Sequence, residues 1–231
     1  MQWIAIDLTA QRAWLMDGEN VLDERRGATP AALVGDWPGP QIIAGMPDAK
    51  EAQTPCKVLP VGGAFPTIKQ ASPAQRLPHA AAVAGFLDQH DDWDGIVCLV
   101  GPEVHWVHVS AGEIVSFATS VTPALAPTDW TADDFDRGFE RGSDRPEWLL
   151  HLLASAQAAG APDGEVLGLL VGADLKAARP YVLGQQVAVI GDSPLVSAYV
   201  RALKSQGTPV TEHGDTTLRG FIALYRKLAE T

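Results

Sequence analysis

The 231 residues suit one large domain or two small ones, and 46% hydrophobic with 19% charged residues is an ordinary globular composition, too apolar for intrinsic disorder. Seventeen Lys and Arg against 28 Asp and Glu leave a net charge of −11, a field that repels nucleic-acid backbones and anionic lipid surfaces and so argues against both as partners. An anionic small molecule remains open to the chain, because a local pocket can oppose the global sign.

The predicted elements begin with the apolar run Trp3–Leu8, which carries Asp7 near its end, followed by a turn, a second strand over Arg12–Met16, an Asp17-Gly18 hairpin and a third strand over Val21–Glu24. A short helix is expected over 29–35 and a buried strand over Gln41–Met46. Residues 47–78 read as loops and short extended pieces, and Ala80–Gln89 as a helix with Val83, Phe86 and Leu87 on one face. Gly95–Gly101 is the clearest strand, and Trp106–Val109 with Ile114–Phe117 makes a hairpin across Ala111-Gly112.

Beyond residue 122 the character changes. Thr131 and Asp134 resemble a capping box, and helices are expected at about 146–159 and 164–178. A strand follows over Val187–Gly191, then a helix from Ser193-Pro194 to about Gln206 that stops at Gly207, and a last helix from Thr216 or Thr217 to Ala229. A strand-rich first half and a helix-rich second half imply two α/β lobes, 1–122 and 123–231.

Cys56 and Cys98 sit singly in apolar runs and read as buried thiols of a reducing compartment. No basic segment followed by an apolar one opens the sequence, and no apolar run reaches membrane-spanning length, which gives a cytoplasmic expectation. Among the six histidines, His105 and His108 fall on opposite faces of a strand, so no residue set is read as a protein metal site. The seven tryptophans are scattered at element ends and read as packing residues, with a homodimer seam left open.

Several segments, in order along nearly the whole chain, resemble the 2-keto-3-deoxygalactonokinase family of actin-like, ribonuclease-H-like sugar kinases. They are Ile4–Asp7, Arg12–Leu15, Ala44-Gly45-Met46, Gly101 with Trp106-Val107, Phe117 with Thr119, Phe135 with Gly138, Arg141 and Gly142, Leu167–Ala173, and Gly191–Leu195 through Tyr199, Ala202, Leu203 and Gly207. The resemblance implies a two-lobed α/β kinase that moves the ATP γ-phosphate to the 6-hydroxyl of a 2-keto-3-deoxy sugar acid with Mg²⁺. Phosphoryl transfer needs backbone donors and cations around the phosphates, a metal held by carboxylates and a base at the acceptor.

Carried onto this sequence, the resemblance makes Asp7 the catalytic carboxylate, Thr9, Gly101 and His105 phosphate contacts, Thr122 a substrate contact, and Gly172, Gly191, Asp192 and Ser193 the nucleotide contacts. The family's first phosphate loop, Asp-Trp-Gly-Thr-Thr/Ser-Asn, is here Asp7-Leu8-Thr9-Ala10-Gln11, two residues shorter and without glycine. Its second, Pro-Gly-Thr-His-Ser-Lys-Trp, is Val100–Trp106, where Glu103, Val104 and His105 replace hydroxyls and lysine. Thr-Gly-Glu-Leu becomes Thr122–Leu125, and Met-Arg-Gly-Glu-Glu-Thr aligns with Leu77–Ala82, so carboxylates are missing from both. The expectation is therefore a 2-dehydro-3-deoxygalactonokinase using ATP and Mg²⁺, with a non-catalytic relative that binds a sugar acid, a nucleotide or a protein partner as the alternative.

Overall fold

The computed structural model describes residues 1–46, 51–127 and 129–230, so residues 47–50 of the expected loop stretch lie outside it. The chain forms two compact units, Met1–Asp94 with Val109–Phe117 and Asp215–Thr231, and Gly95–His108 with Ala118–Gly214. These are not the 1–122 and 123–231 segments expected from sequence. The strand after Asp94 pairs in parallel with residues 187–190, which assigns it to the second unit, and the hairpin tip and the last helix belong with the first.

In unit 1, β1 (Gln2–Asp7), β2 (Arg12–Asp17) and β3 (Asn20–Arg26) form the expected meander. Positive φ at Gly18 lets the chain reverse. α1 (Pro30–Val34), capped by the Thr29 hydroxyl on the Ala32 amide, leads to β4 (Gln41–Ala44), which pairs in parallel with β1 to give the order β3-β2-β1-β4. β1 is central and buried from Trp3 onward, whereas β3, an edge, presents Asp23, Glu24, Arg25 and Arg26, charges that discourage edge pairing. The loop stretch contributes β5 (Ala52–Gln53), β6 (Cys56–Lys57), β7 (Ile68–Gln70) and β8 (Gln75–Leu77), and then α2 (Ala80–Leu87). Cys56 on β6 is half-buried, unlike the fully buried Cys98.

Unit 2 opens with β9 (Gly95–Val100), apolar and buried at every position, as a parallel strand covered on both faces should be. The hairpin of β10 (Val104–Ser110) and β11 (Glu113–Ser120) runs through both units, and its tip turns on the positive φ of Ala111 and Gly112. Within unit 2 follow α3 (Thr122–Leu125), α4 (Ala132–Asp144), a 3₁₀ turn over Pro146–Trp148, α5 (Leu149–Ala159), α6 (Asp163–Ala177), α7 (Arg179–Val182), β12 (Val187–Ile190), α8 (Leu195–Ser205) and β13 (Val210–His213). β12 lies between β9 and β13, parallel to both. The Thr131 hydroxyl meets the Asp134 carboxylate at 3.4 Å and not a backbone amide, so the anticipated capping box is not formed.

The core of unit 2 is set by a helix pair in backbone contact. A Cβ on Gly168 of α6 would lie 2.2 Å from the Phe135 carbonyl oxygen of α4, and one on Gly138 would lie 2.1 Å from that of Glu165. Gly142 and Gly172 are equally tight, so two ladders of glycine at four-residue spacing let the helices touch while Phe135 and Phe139 fill the space beside them. Over this contact Glu165, buried on α6, accepts from Arg137 and Arg141 of α4.

The chain returns to unit 1 with α9 (Thr217–Ala229), which crosses α2 with similar closeness: a Cβ on Gly220 would stand 1.9 Å from the Ala81 carbonyl oxygen. Trp3 stacks on Tyr225 of α9 with ring centres 4.7 Å apart, and Trp14 and Phe65 both meet Phe221, so α9 closes the core of this unit. Among the described residues no helix is long and apolar enough to cross a membrane.

Candidate active site

In unit 1 the turn after β1 carries the first group of expected site residues. Asp7 is buried, and one carboxylate oxygen, Oδ1, accepts from the amides of Thr9 at 2.9 Å and Ala10 at 3.0 Å. Burial pushes its carboxyl above the usual aspartate range, while those two amides and the nearby His79 act in the opposite direction. Thr9 is held against the chain after β4: a Cβ on Gly45, whose φ is +77°, would lie 2.4 Å from the Thr9 hydroxyl oxygen. The resemblance made Asp7 the catalytic carboxylate and Thr9 a phosphate contact; here each is tied into the turn itself.

The same unit brings two further charged residues to this turn: Asp215, which sequence reading did not single out, and Arg12, which it named only within the Arg12–Leu15 segment. Asp215, whose charge raises the Asp7 carboxyl, accepts from the Thr217 amide at 2.9 Å at the start of α9 and meets Arg12 at 3.4 Å. Arg12 also binds Glu24 at 2.9 Å and lies over the Trp14 ring. The surviving guanidinium of the Arg-Ala-Trp segment is thus already neutralised by two carboxylates. Asp215 lies more than 200 residues from Asp7 along the chain, and only the fold shows the relation.

In unit 2 the β9–β10 turn holds the second group. The Gly101 amide donates to the Glu103 carbonyl at 3.0 Å, and Pro102 has no amide hydrogen. A Cβ on Gly101 would meet only the Glu103 oxygen, at 3.9 Å, so nothing in this turn demands glycine. His105, expected as a phosphate contact in place of the family's lysine, is wholly buried on β10. Its Nδ1 is 2.9 Å from the Thr119 hydroxyl of β11 and its Nε2 3.7 Å from the Glu103 carboxylate. A ring enclosed within the sheet is a cross-strand link, not a surface cation for a polyanion.

Thr122 and Gly172 are likewise placed in the interior. The Thr122 hydroxyl donates to Asp174 at 3.2 Å and lies 2.7 Å from that of Ser120. Asp174, on α6, also accepts from Tyr199 of α8 and, at 3.4 Å, from the Trp106 indole. Burial raises the Asp174 carboxyl, and burial next to this carboxylate raises the Tyr199 phenol well above its ordinary range. Thr122 is therefore a member of a core network where a substrate contact was expected. Gly172 abuts the Phe139 carbonyl oxygen and Ser143, a helix-packing position where a nucleotide contact was expected.

Gly191, Asp192 and Ser193 do come together in one place. They line a cavity of about 520 Å³ in unit 2, with Pro194, Glu212 and His213, outside the carboxyl ends of the parallel strands β12 and β13. That position is where open α/β sheets hold ligands. Gly191 has φ +148°, and a Cβ there would lie 2.3 Å from the Val100 carbonyl oxygen, so close approach to β9 requires glycine at this point. The Ser193 hydroxyl accepts from the Leu195 amide at 3.2 Å, just ahead of α8. Among the described residues the lining includes two carboxylates and no lysine or arginine.

Comparison with known proteins follows this geometry. A Sinorhizobium meliloti crystal structure assigned as a 2-dehydro-3-deoxygalactonokinase protein superposes with a TM-score of 0.80 at 19% identity, over 98% of each chain. Component A of (R)-2-hydroxyglutaryl-CoA dehydratase from Acidaminococcus fermentans gives a TM-score of 0.49 at 11% identity, over 98% of this chain and 97% of that one. Among curated proteins none matches the chain. The fold is the mixed α/β architecture expected from sequence, shared with the Sinorhizobium meliloti structure. The sequence profile of the 2-keto-3-deoxy-galactonokinase family matches residues 80–224, from α2 into α9, and the chain belongs to that family.

Proposed function

We propose that this chain keeps the ligand-holding body of a 2-keto-3-deoxy-galactonokinase and binds a small molecule of the family's class, a nucleotide through its nucleoside end or a sugar acid, without appreciable phosphoryl transfer. One observation carries the reading: three backbone amides of the two turns that align with the family's phosphate loops are already bonded within the protein. The Thr9 and Ala10 amides go to Asp7, the Gly101 amide goes to the Glu103 carbonyl, and Pro102 has none to offer.

Oxyanion stabilisation depends on donors held ready for the developing charge, and removing one such donor typically costs about 10²–10³ in rate. Three occupied amides, the loss of the loop lysine and the Glu103 carboxylate beside the second turn act together against ATP. The Mg·ATP that the family implies therefore does not fit the phosphate-turn residues present, and no transfer step is derived through it. The cavity at Gly191 is suited instead to a polar, uncharged moiety, because Asp192 and Glu212 at its wall would repel an anion. This agrees with a nucleoside portion seated there.

The test is calorimetry of the full chain with Mg·ATP, adenosine and a 2-keto-3-deoxy sugar acid, followed by a coupled assay for ADP. Binding of one of these without ADP release is the expected result, and sustained ADP production that depends on the sugar acid would overturn the proposal. Family membership and the carboxylate at the end of β1 favour one other reading, an active 2-dehydro-3-deoxygalactonokinase with Asp7 as its catalytic carboxylate. Under that reading turnover is measurable in the same assay and disappears in Asp7→Asn.

A further inference from the structure

At the opposite end of β12 from the Gly191 cavity, unit 2 contains a second cleft, of about 560 Å³, with a different chemistry. Its wall is built where α4, α6 and α8 end and where the chain enters β12 and β13, from residues including Ser143, Lys176, Arg179, Gln185, Gln206 and Thr208. The volume lies within the usual range of small-molecule sites. In a chain of net charge −11, no carboxylate residue among the described residues lines this cleft and two cations do.

The pairing of arginines elsewhere makes those cations informative. Among the described residues, Arg12, Arg25, Arg26, Arg76, Arg137, Arg141, Arg201, Arg219 and Arg226 all lie within ion-pair distance of a carboxylate. Arg145 instead lies over the Trp148 ring. Arg179 shows neither arrangement, and Lys176, on the same wall, has no ion pair among the described residues either. Lys176 occupies the last turn of α6, where a cation complements the helix dipole, and Arg179 opens the four-residue α7.

We propose that this cleft is a binding site for an organic phosphomonoester with a hydroxylated frame. A phosphomonoester carries about −1.5 to −2 charges at neutral pH, which two cations match, and a guanidinium presents parallel donors to phosphate oxygens. The amides of Gln185 and Gln206 and the hydroxyls of Ser143 and Thr208 are the donors and acceptors that sugar hydroxyls need. The site is independent of the function proposed above, since it shares no lining residue with the Gly191 cavity.

The test titrates the full-length protein by calorimetry with glucose 6-phosphate, gluconate and inorganic phosphate at constant ionic strength, in wild type, Arg179→Gln, Lys176→Gln and Lys204→Gln. Circular dichroism verifies that each variant folds. Binding of the hexose phosphate is expected to weaken about tenfold or more in Arg179→Gln, and also to weaken in Lys176→Gln. Lys204→Gln, which removes an equal charge outside the cleft, should bind as wild type. Absence of hexose phosphate binding, equal binding by inorganic phosphate or gluconate, or equal loss in all three variants would each overturn the proposal. Neither outcome bears on ATP turnover, so failure here is distinguishable from failure of the functional reading.

Discussion

Asp7 separates the two readings of this protein by a stability measurement that needs no substrate. If its carboxylate holds the turn after β1, the group that matters is an oxygen acceptor for the Thr9 and Ala10 amides, at 2.9 and 3.0 Å, and not a negative charge. Asp7→Asn keeps a carbonyl oxygen in that position. Asp7→Ala removes it, and because Thr9 and Ala10 are exposed, water recovers part of the loss. The cost then resembles removal of a helix cap, about 1–2 kcal/mol, or a fall of roughly 2–8 °C in Tm for a chain of this size. Asp7→Asn should remain within about 0.5 kcal/mol of wild type at neutral pH.

The pH dependence adds an independent sign. Burial holds the folded carboxyl above the ordinary aspartate value of 3.8, so between the two values the folded state binds the extra proton. The stability contributed by Asp7 is therefore full below 3.8 and is lost as pH rises through the folded value. Asp7→Asn removes that loss, and its stability relative to wild type should rise across the same window. Urea unfolding followed by tryptophan fluorescence and by circular dichroism gives both quantities. An Asp7→Asn variant destabilised as far as Asp7→Ala at neutral pH would show that the charge itself is required, and the turn-holding argument would fail.

Two further substitutions test the interior. Gly168→Ala puts a methyl group where the Phe135 carbonyl oxygen lies 2.2 Å away, so α4 and α6 must separate. The helix-propensity gain of about 1 kcal/mol is smaller than the strain, and a net loss of about 1–2 kcal/mol or more is expected in urea; unchanged stability would exclude the backbone contact. For Asp174, also raised by burial, the contribution is again full below 3.8 and lost as pH rises through the folded value, so Asp174→Asn should flatten the stability profile over that interval. Tyr199→Phe removes a donor to the same carboxylate and should cost about 1.5–3 kcal/mol at neutral pH and less in acid. A loss independent of pH would contradict a charged acceptor.

What could be read from the sequence was local. The meander of β1–β3, the hairpin across Ala111-Gly112 and the helix ends at Gly160 and Gly207 all follow from apolar runs and from glycines whose φ angles are positive in the fold. β13 escaped because Val210–His213 is a four-residue edge strand with a single apolar residue followed by three polar ones. The glycines at 138, 142, 168 and 172 were visible as part of motifs, but their use in bringing α4 against α6 depends on which helices meet. Gly172 shows the consequence: a glycine of a family segment was expected as a nucleotide contact, and in the fold it lets α6 approach the Phe139 carbonyl oxygen of α4. Asp174 and Asp215 carry the same lesson, since both act on residues more than 50 positions away.

The separation between scaffold and site also has a physical logic. A phosphate-binding turn must leave backbone amides without internal partners until a ligand arrives, an arrangement that works against the rule that such groups be paired. When ligand binding no longer maintains it, any acceptor that reaches those amides stabilises the folded state. Here Asp7 folds back onto Thr9 and Ala10, and the Glu103 carbonyl takes the Gly101 amide. The helix contacts at Gly85, Gly138, Gly168 and Gly220 have no such freedom, because any side chain there would meet backbone at less than 3 Å. Packing therefore holds this α/β fold in place independently of those two turns, and under the function proposed above they are where the chain departs from its family without unfolding.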